Sequence, residues 1–348
     1  MHRGDPVAVG LSGGTDSAAA ALLLRQKGRD VRGVTLRMLS ESRTGEEQRI
    51  DRAAEICRKL QIPHIVIDAR IRFRECVVDY FLKNYRRGLT PNPCVICNRF
   101  LKFGLLLEEV RRRGIPRLAT GHYARVVCFR KRRTFGRGAD PEKSQEYFLS
   151  LVSPEAVPFL VFPLAEYRKQ DVCQMAHRAG LVDPAQKESQ DVCFVEGSSY
   201  ADFIERHSSG ESFPSGPIEH VSGEKIGRHH GIHRYTIGQR SGLGVSWPEP
   251  LYVVTIDVAR NTLIVGERCC VRRRRFLVRN GNWFVPPWEL ARCEVKVRYR
   301  SSFAPVRCEA KGDRIEVFLL EKSEGVAPGQ IAAFYAEGAL LGGGVIER

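Results

Sequence analysis

The stretch Gly10-Leu11-Ser12-Gly13-Gly14-Thr15-Asp16-Ser17 has the residue types needed to hold an anion. It lies between a short apolar run, Val7-Ala8-Val9, and the Ala/Leu-rich segment Asp16 to Lys27, which reads as a helix stopped by Gly28. Small residues let the backbone wrap around a phosphate without β-carbon clashes. The helix that follows offers free amide hydrogens and the positive end of its dipole. Ser12 and Ser17 can donate from their hydroxyls, and Asp16 can cap the helix or help organise magnesium. The string lacks the Gly-Lys-Ser/Thr ending of an ordinary phosphoryl-transfer P-loop. A different chemistry is offered by Cys94 and Cys97, on a proline-bounded segment from Thr90 to Arg99 that enters a helix. Near a helix N-terminus and cationic side chains a thiolate is favoured, which lowers the thiol pKa from about 8.5. Cys193, within Lys187-Glu188-Ser189-Gln190-Asp191-Val192-Cys193-Phe194, sits in a similar polar, loop-like setting. A Cys-x-x-Cys can also be half a zinc site or a redox dithiol. No second pair stands at ribbon or knuckle spacing, and the phosphate loop does not suit a thioredoxin-like fold.

The elements that must position these residues alternate between strand and helix. After the first strand and helix come a strand at Val31 to Leu36, a helix near Glu46 to Leu60 and a strand at His64 to Asp68. A helix near Phe73 to Tyr85, helical Arg99 to Arg113 and strand-like Arg117 to Thr120 follow. This order predicts an α/β domain with right-handed crossovers and a parallel sheet, its ligands at the carboxyl ends of the strands. Composition changes after about Asp202, where Gly, Pro, Ser and His become frequent up to Pro250. Beyond Val271, alternating segments at Cys293 to Arg300, Arg314 to Leu320, Ile331 to Ala336 and Leu340 to Ile346 predict a compact β-barrel. The expected domains are 1–201, a catalytic nucleotide-binding domain; 202–270, a small loop-rich domain; and 271–348, the barrel.

Composition narrows the partners. A formal charge of +15 with clusters such as Arg111-Arg112-Arg113 and Arg272-Arg273-Arg274-Arg275 suits a polyanion, because each neutralised phosphate releases counterions. No apolar run approaches the length of a membrane span and the N-terminus does not read as a signal peptide, so a cytoplasmic protein with no membrane partner is expected. Its eleven cysteines are then mostly reduced, packed thiols. His229, His230 and His233 are expected to cap or contact RNA rather than bind metal, since no acidic partner is apparent. Cys57, Cys76, Cys128, Cys173, Cys269, Cys270, Cys293 and Cys308 have no distinctive context.

The Ser-Gly-Gly-x-Asp-Ser string resembles the pyrophosphate loop of N-type ATP pyrophosphatases, which split ATP to AMP and pyrophosphate while adenylating an acceptor. Four further segments occur in series: Asn92-Pro93-Cys94-Val95-Ile96-Cys97-Asn98, Gly121-His122-Tyr123-Ala124-Arg125, Lys187 to Phe194, and His233 to Arg240. With the loop, they make nearly the whole chain similar to the tRNA-specific 2-thiouridylase family of this PP-loop superfamily. That resemblance implies thiolation of the wobble uridine in tRNAs for Lys, Glu and Gln. It implies that Gly10 through Ser17 bind ATP, with Leu36 and Gly121 lining the nucleotide site. Cys97 matches the family's nucleophile, and Cys193 the cysteine that takes a persulfide sulfur from a donor protein fed by a cysteine desulfurase relay. Asn92, Pro93 and Cys94 match the segment at the target base; His122, Lys143, Ser144, Gln145, Arg298, Tyr299 and Gln330 fall where relatives touch tRNA. Arg298 and Tyr299, in a strand-like segment, combine a phosphate partner with a stacking ring.

Two sulfur routes are open on these residues. A Cys193 persulfide attacks the adenylated carbon and Cys97 then resolves the adduct, or Cys97 first reduces the persulfide and releases sulfide in a closed pocket. Both need two thiols within disulfide reach and a reductant afterwards. Where some relatives carry Asp as a proposed general base, this chain has Cys94, which leaves open an iron–sulfur cluster on Cys94, Cys97 and Cys193. The alternatives are another PP-loop enzyme, thiolating a different base or amidating its substrate, and a noncatalytic tRNA-binding relative.

Overall fold

A computed structural model describes residues 4–39, 44–185, 192–195, 199–208 and 212–347; Lys187 to Asp191 of the Cys193 motif lie outside them. Along the chain run β1 (Pro6–Gly10), α1 (Thr15–Gln26), β2 (Asp30–Arg37), α2 (Thr44–Leu60), β3 (His64–Asp68), α3 (Arg70–Phe73), α4 (Asp79–Arg86), α5 (Pro93–Cys97) and α6 (Leu106–Arg112). Next come β4 (Leu118–Ala119), β5 (Ala124–Phe129), β6 (Arg132–Arg137), β7 (Leu160–Val161), α7 (Lys169–Arg178) and α8 (Tyr200–Arg206). The remaining strands are β8 (Gly216–His220), β9 (Lys225–His229), β10 (Tyr252–Asp257), β11 (Thr262–Gly266), β12 (Arg273–Trp283), β13 (Arg292–Lys296), β14 (Ala304–Lys311), β15 (Arg314–Ser323), β16 (Ile331–Ala336) and β17 (Ala339–Ile346). No described helix is long and apolar enough to cross a membrane.

These elements divide into two units, the first comprising residues 1–77, 94–190 and 337–341. Its parallel sheet has the order β3-β2-β1-β4-β7. Strand order reverses beside β1, which pairs with β2 on one side and β4 on the other. That is the switch point where a doubly wound sheet opens a crevice at its carboxyl end. Val7 and Val9 of β1 are fully buried and pack with Ala18 to Ala21 of α1 and with Val172 and Ala176 of α7. The alanine run allows close approach of helix to sheet, and Gly28, at φ +69°, ends the α1 turn where an L-residue would be strained. The expected Arg117 to Thr120 strand shortens to the two residues of β4.

The second unit comprises residues 78–93, 191–336 and 342–348. The segment read as loop-rich contains an ordered sheet, β10-β11-β8-β9, over a core of Ile218, Tyr235, Leu243, Leu251, Val253 and Leu263. Its Gly and Pro residues mark the turns, and the short strands between them escaped notice because none spans more than a few apolar positions. The barrel expectation holds: β12, β15, β14, β13, β16 and β17 follow one another, and β12 also pairs with β17 through Val278–Ile346 and Trp283–Gly342. Arg272 to Arg275, read only as a charge cluster, leads into and begins the longest of these strands, β12.

Candidate active site

The phosphate loop is shaped from within. Ser17, buried at the start of α1, donates from Oγ to the Gly14 carbonyl at 2.9 Å and accepts from the Ser12 amide at 3.2 Å. It therefore braces the loop rather than presenting its hydroxyl outward. Gly13 has φ +72°, and a β-carbon there would lie 2.5 Å from the Arg49 carbonyl oxygen. Gly121, following β4, comes so close to α1 that a β-carbon would lie 2.7 Å from the Asp16 carbonyl carbon. Only glycine permits both approaches. Leu36, near the end of β2, is buried, and Thr35 donates from Oγ1 to the Leu11 carbonyl at 3.1 Å, tying β2 to the loop.

Asp16 does not cap α1. The cap residue is Gly14, which has no side chain to cap with, and the Asp16 carboxylate is drawn elsewhere. Its Oδ1 accepts from Lys169 Nζ at 2.7 Å and from the Tyr123 hydroxyl at 2.8 Å. Nothing in the sequence spacing marked Lys169, which comes from α7; the Ala-rich face of α1 was the one local hint that another helix packs there. Glu46, almost fully buried, was also missed. It accepts from the Met38 and Leu39 amides at 2.6 and 3.2 Å and pairs with Arg49 at 2.5 Å, fixing the chain leaving β2.

The cysteine loop departs from expectation. Helix begins at Pro93 rather than near Arg99, since proline at a first helical position has the right φ and gives up an amide that has no partner there. Residues Asn98–Leu105 continue it as a π-helix. Cys97 is buried, and burial pushes its thiol up to about 11, more than Lys102 and Arg49 pull it down. Cys94 keeps an exposed side chain, yet its crowded surroundings raise its thiol too, against Lys102. The expected lowering of both pKa values is thus corrected: desolvation of the anion exceeds its attraction to the neighbouring cations. Cys97 is therefore held largely protonated near neutral pH in the resting protein. Its alkylation by iodoacetamide, followed by peptide mass spectrometry, should accelerate about tenfold per pH unit from 7 to 10 and stay slower than that of exposed Cys193. A plateau near pH 8.5 would contradict the burial argument. Asn98, also buried, donates from Nδ2 to the Phe148 carbonyl at 3.1 Å and locks the helix beneath Cys97.

His122 is buried against Phe103 and Phe162, with Nδ1 hydrogen-bonded to Thr120 Oγ1 at 2.8 Å. Burial, and then Lys102, hold its pKa well below the usual value, so the imidazole is neutral at pH 7. Ser144 is buried and donates to Glu146 at 2.5 Å; Gln145 Oε1 accepts from the Tyr123 amide at 3.2 Å, and the Lys143 amide donates to Asp140 Oδ1 at 3.3 Å.

In the second unit, Cys193 is exposed on a turn closed by the Val195 amide and the Val192 carbonyl. The next residue, Phe194, is buried edge-on to Phe81 and anchors that turn. Gln330 Nε2 donates to the Thr90 carbonyl at 3.0 Å, and the Thr90 amide donates to the Pro328 carbonyl at 2.9 Å, so this unit grips the approach to Asn92 and Pro93. Arg298 and Tyr299 lie in a turn after β13, not in a strand, and Lys296 lies 5.7 Å from the Tyr299 ring.

His229 and His233 serve structural roles. Buried His229 accepts from the Gly231 amide at Nδ1 and so donates from Nε2 to the Asn261 carbonyl at 2.9 Å. Buried His233 does have an acidic partner, Glu205, at 2.8 Å. Sequence separation hid that pairing. Among the described residues no group of His, Cys, Asp or Glu is arranged to hold a metal ion. Two cysteine pairs read as featureless also have context: Cys293 and Cys308 approach to 4.0 Å on neighbouring strands, and adjacent Cys269 and Cys270 to 3.9 Å. No disulfide joins any of the eleven cysteines.

Three family models match in series: a tRNA methyl transferase HUP domain at residues 5–197, a tRNA methyl transferase PRC-barrel domain at 201–267 and an aminomethyltransferase β-barrel domain at 273–346. The chain is 42% identical to tRNA-specific 2-thiouridylase MnmA of Syntrophotalea carbinolica, over 98% of each chain. It is 42% identical to that of Chloroflexus aggregans over 98% of each, and 40% identical to that of Aquifex aeolicus over 98% of this chain and 99% of that one. The chain belongs to the tRNA-specific 2-thiouridylase family. Identity sustained along the full length, rather than the methyltransferase wording of the domain descriptions, decides this. The family belongs to an ATP-using superfamily.

Proposed function

We propose that this chain adenylates the C2 carbonyl oxygen of the wobble uridine and replaces that oxygen with sulfur carried on Cys193, with Cys97 as the second thiol. The enzyme is a tRNA-uridine 2-sulfurtransferase that synthesises 2-thiouridine, and tRNA and ATP are its substrates. One observation carries the reading: 42% identity to a 2-thiouridylase extends over 98% of the chain, a span long enough to include the phosphate loop and both cysteine motifs.

Residues Gly10 to Ser17 hold the triphosphate, with Leu36 and Gly121 beside the nucleoside. Asp16 would hold magnesium through Oδ2, since the hydrogen bonds from Tyr123 and Lys169 both go to Oδ1. When bound, the ion would screen phosphate charge. Uridine O2 attacks the α-phosphorus and pyrophosphate leaves. The outer sulfur of the Cys193 persulfide attacks C2 and AMP leaves. Cys97, as thiolate, then attacks the Cys193 sulfur, releasing 2-thiouridine and forming a Cys97–Cys193 disulfide that a two-electron thiol reductant must open. Burial of Cys97 supports this order, because a thiol kept protonated until late does not consume the persulfide early. The exposed turn of Cys193 supports loading by a donor protein of a cysteine desulfurase relay. Asn92, Pro93 and Cys94 meet the target base; His122, Lys143, Ser144, Gln145, Arg298, Tyr299 and Gln330 belong to the tRNA face, the buried ones by supporting its backbone. The substrates are the tRNAs for Lys, Glu and Gln, in the cytoplasm. The three working domains are 1–201, 202–270 and 271–348, a division supported by the model matches at 5–197, 201–267 and 273–346.

Mass spectrometry of nucleosides from tRNA incubated with enzyme, ATP, magnesium and a persulfide donor tests this. One sulfur gained at wobble uridine is expected. Unchanged uridine despite tRNA-dependent pyrophosphate release would move the chain to a different acceptor.

A further inference from the structure

Lys102 is a cation with no anion beside it. It lies half-buried between Leu101 and Phe103, which are both buried, and Phe103 packs on His122 and Phe162. Those neighbours fix the segment, while the ammonium meets no hydrogen-bond or ion-pair partner among the described residues. Three groups lie within range of its charge: the Cys94 and Cys97 thiols and the His122 imidazole. All three are uncharged near neutral pH, so none balances it. A charge taken even partly out of water is costly unless an opposite charge joins it.

The π-helix is what puts Lys102 there. On an α-helix the residues sharing a face lie three and four apart, and a residue five places on turns away. The i→i+5 bonds of a π-helix instead stack residues five apart. Cys97 caps the π-helix Asn98–Leu105, so the first such bond runs from the Lys102 amide to the Cys97 carbonyl and sets the two side chains on one face. The winding is tight: a β-carbon on Gly104 would lie 2.9 Å from the Arg99 carbonyl oxygen, also five residues back. Arg49 of α2, the other cation bearing on Cys97 among the described residues, is already paired with Glu46 at 2.5 Å; the remaining titratable neighbour is Cys94.

We propose that Lys102 is a positioning residue for the reaction's second thiol: its ammonium holds Cys97 as the thiolate that resolves the Cys193 adduct. This rests on the reading of Cys97 as the resolving thiol. The Cys97 proton passes to water, since Lys102 already carries its three hydrogens. The thiolate attacks Cys193 Sγ, the bond from that sulfur to the one on C2 breaks, and its electron pair stays with the sulfur of 2-thiouridine. Lys102 thereby offsets part of the desolvation that otherwise keeps this thiol protonated.

Alkylation of the full chain by iodoacetamide at pH 8, read at each cysteine by peptide mass spectrometry, tests this. Lys102→Met and Lys102→Gln should each slow alkylation of Cys97 at least about fivefold, because the thiolate loses the unpaired cation beside it. Cys193 should react at its usual rate, and Lys102→Arg, which keeps the charge, should recover most of the loss at Cys97. In the two neutral variants the pH at which Cys97 alkylation levels off should rise. A merely structural role gives the opposite sign, since a loosened fold exposes Cys97 and speeds its reaction. Unchanged or faster alkylation of Cys97 in both neutral variants would overturn the proposal. Slower alkylation there, with 2-thiouridine still formed by Cys97→Ser, would keep the pairing of Lys102 with Cys97 and overturn the resolving role beneath it.

Discussion

Replacing Cys97 or Cys193 with serine should abolish 2-thiouridine formation, by at least about a thousandfold, since a hydroxyl can neither carry a persulfide nor resolve one. Both variants should still release pyrophosphate on addition of tRNA, because adenylation uses neither thiol. The two should then differ. With persulfide donor present, Cys97→Ser should accumulate sulfur on Cys193, visible as a mass increase of one sulfur on its peptide, whereas Cys193→Ser should take up none at Cys97. Normal thiolation by either variant would end the two-thiol mechanism. Iron measured on anaerobically prepared protein discriminates further: stoichiometric iron lost in Cys94→Ser would replace the persulfide route with a cluster.

Gly13→Ala should cost the protein most of its ATP affinity, on the order of a hundredfold. Alanine at φ +72° carries backbone strain of about 1–3 kcal/mol. Its methyl would also meet the Arg49 carbonyl at 2.5 Å, with Arg52 Cβ at 3.1 Å, so the loop must open away from α2. The backbone of the loop proposed to hold the phosphates moves with it. Filter binding of tRNA should be unaffected, because the change lies in a loop with no role in that affinity. Unchanged titration with ATP would show that the loop tolerates the shift and that its glycines serve only the turn.

How much of this was legible beforehand depended on the distance between cause and effect. The phosphate loop and α1 were readable because strand, small-residue turn, alanine run and terminal glycine are neighbours in sequence, and each acts through its own backbone. The barrel was readable in outline from two-residue alternation, although β12 and β14 escaped, masked by their arginines and a proline. The sheet of β8 to β11 was missed for the same reason: short strands between turn residues look like loop until their partners are known. Arg298 and Tyr299 were assigned to a strand because alternation continues past Lys296, where the hydrogen-bonded ladder stops.

The sequence by itself determined the chemistry available: an amide-rich loop at the head of a helix, and thiols in polar or proline-bounded surroundings, are local properties of neighbouring residues. Tertiary structure decided the charges on that chemistry. Only packing buries Cys97 and reverses the expected shift of its pKa, because desolvation depends on every atom around the sulfur. Only packing brings Glu205 to His233 and Lys169 to Asp16. Such pairs join residues far apart along the chain, and no period or motif records them; the second exists because α1 and α7, each satisfying its own apolar face, place their first turns together.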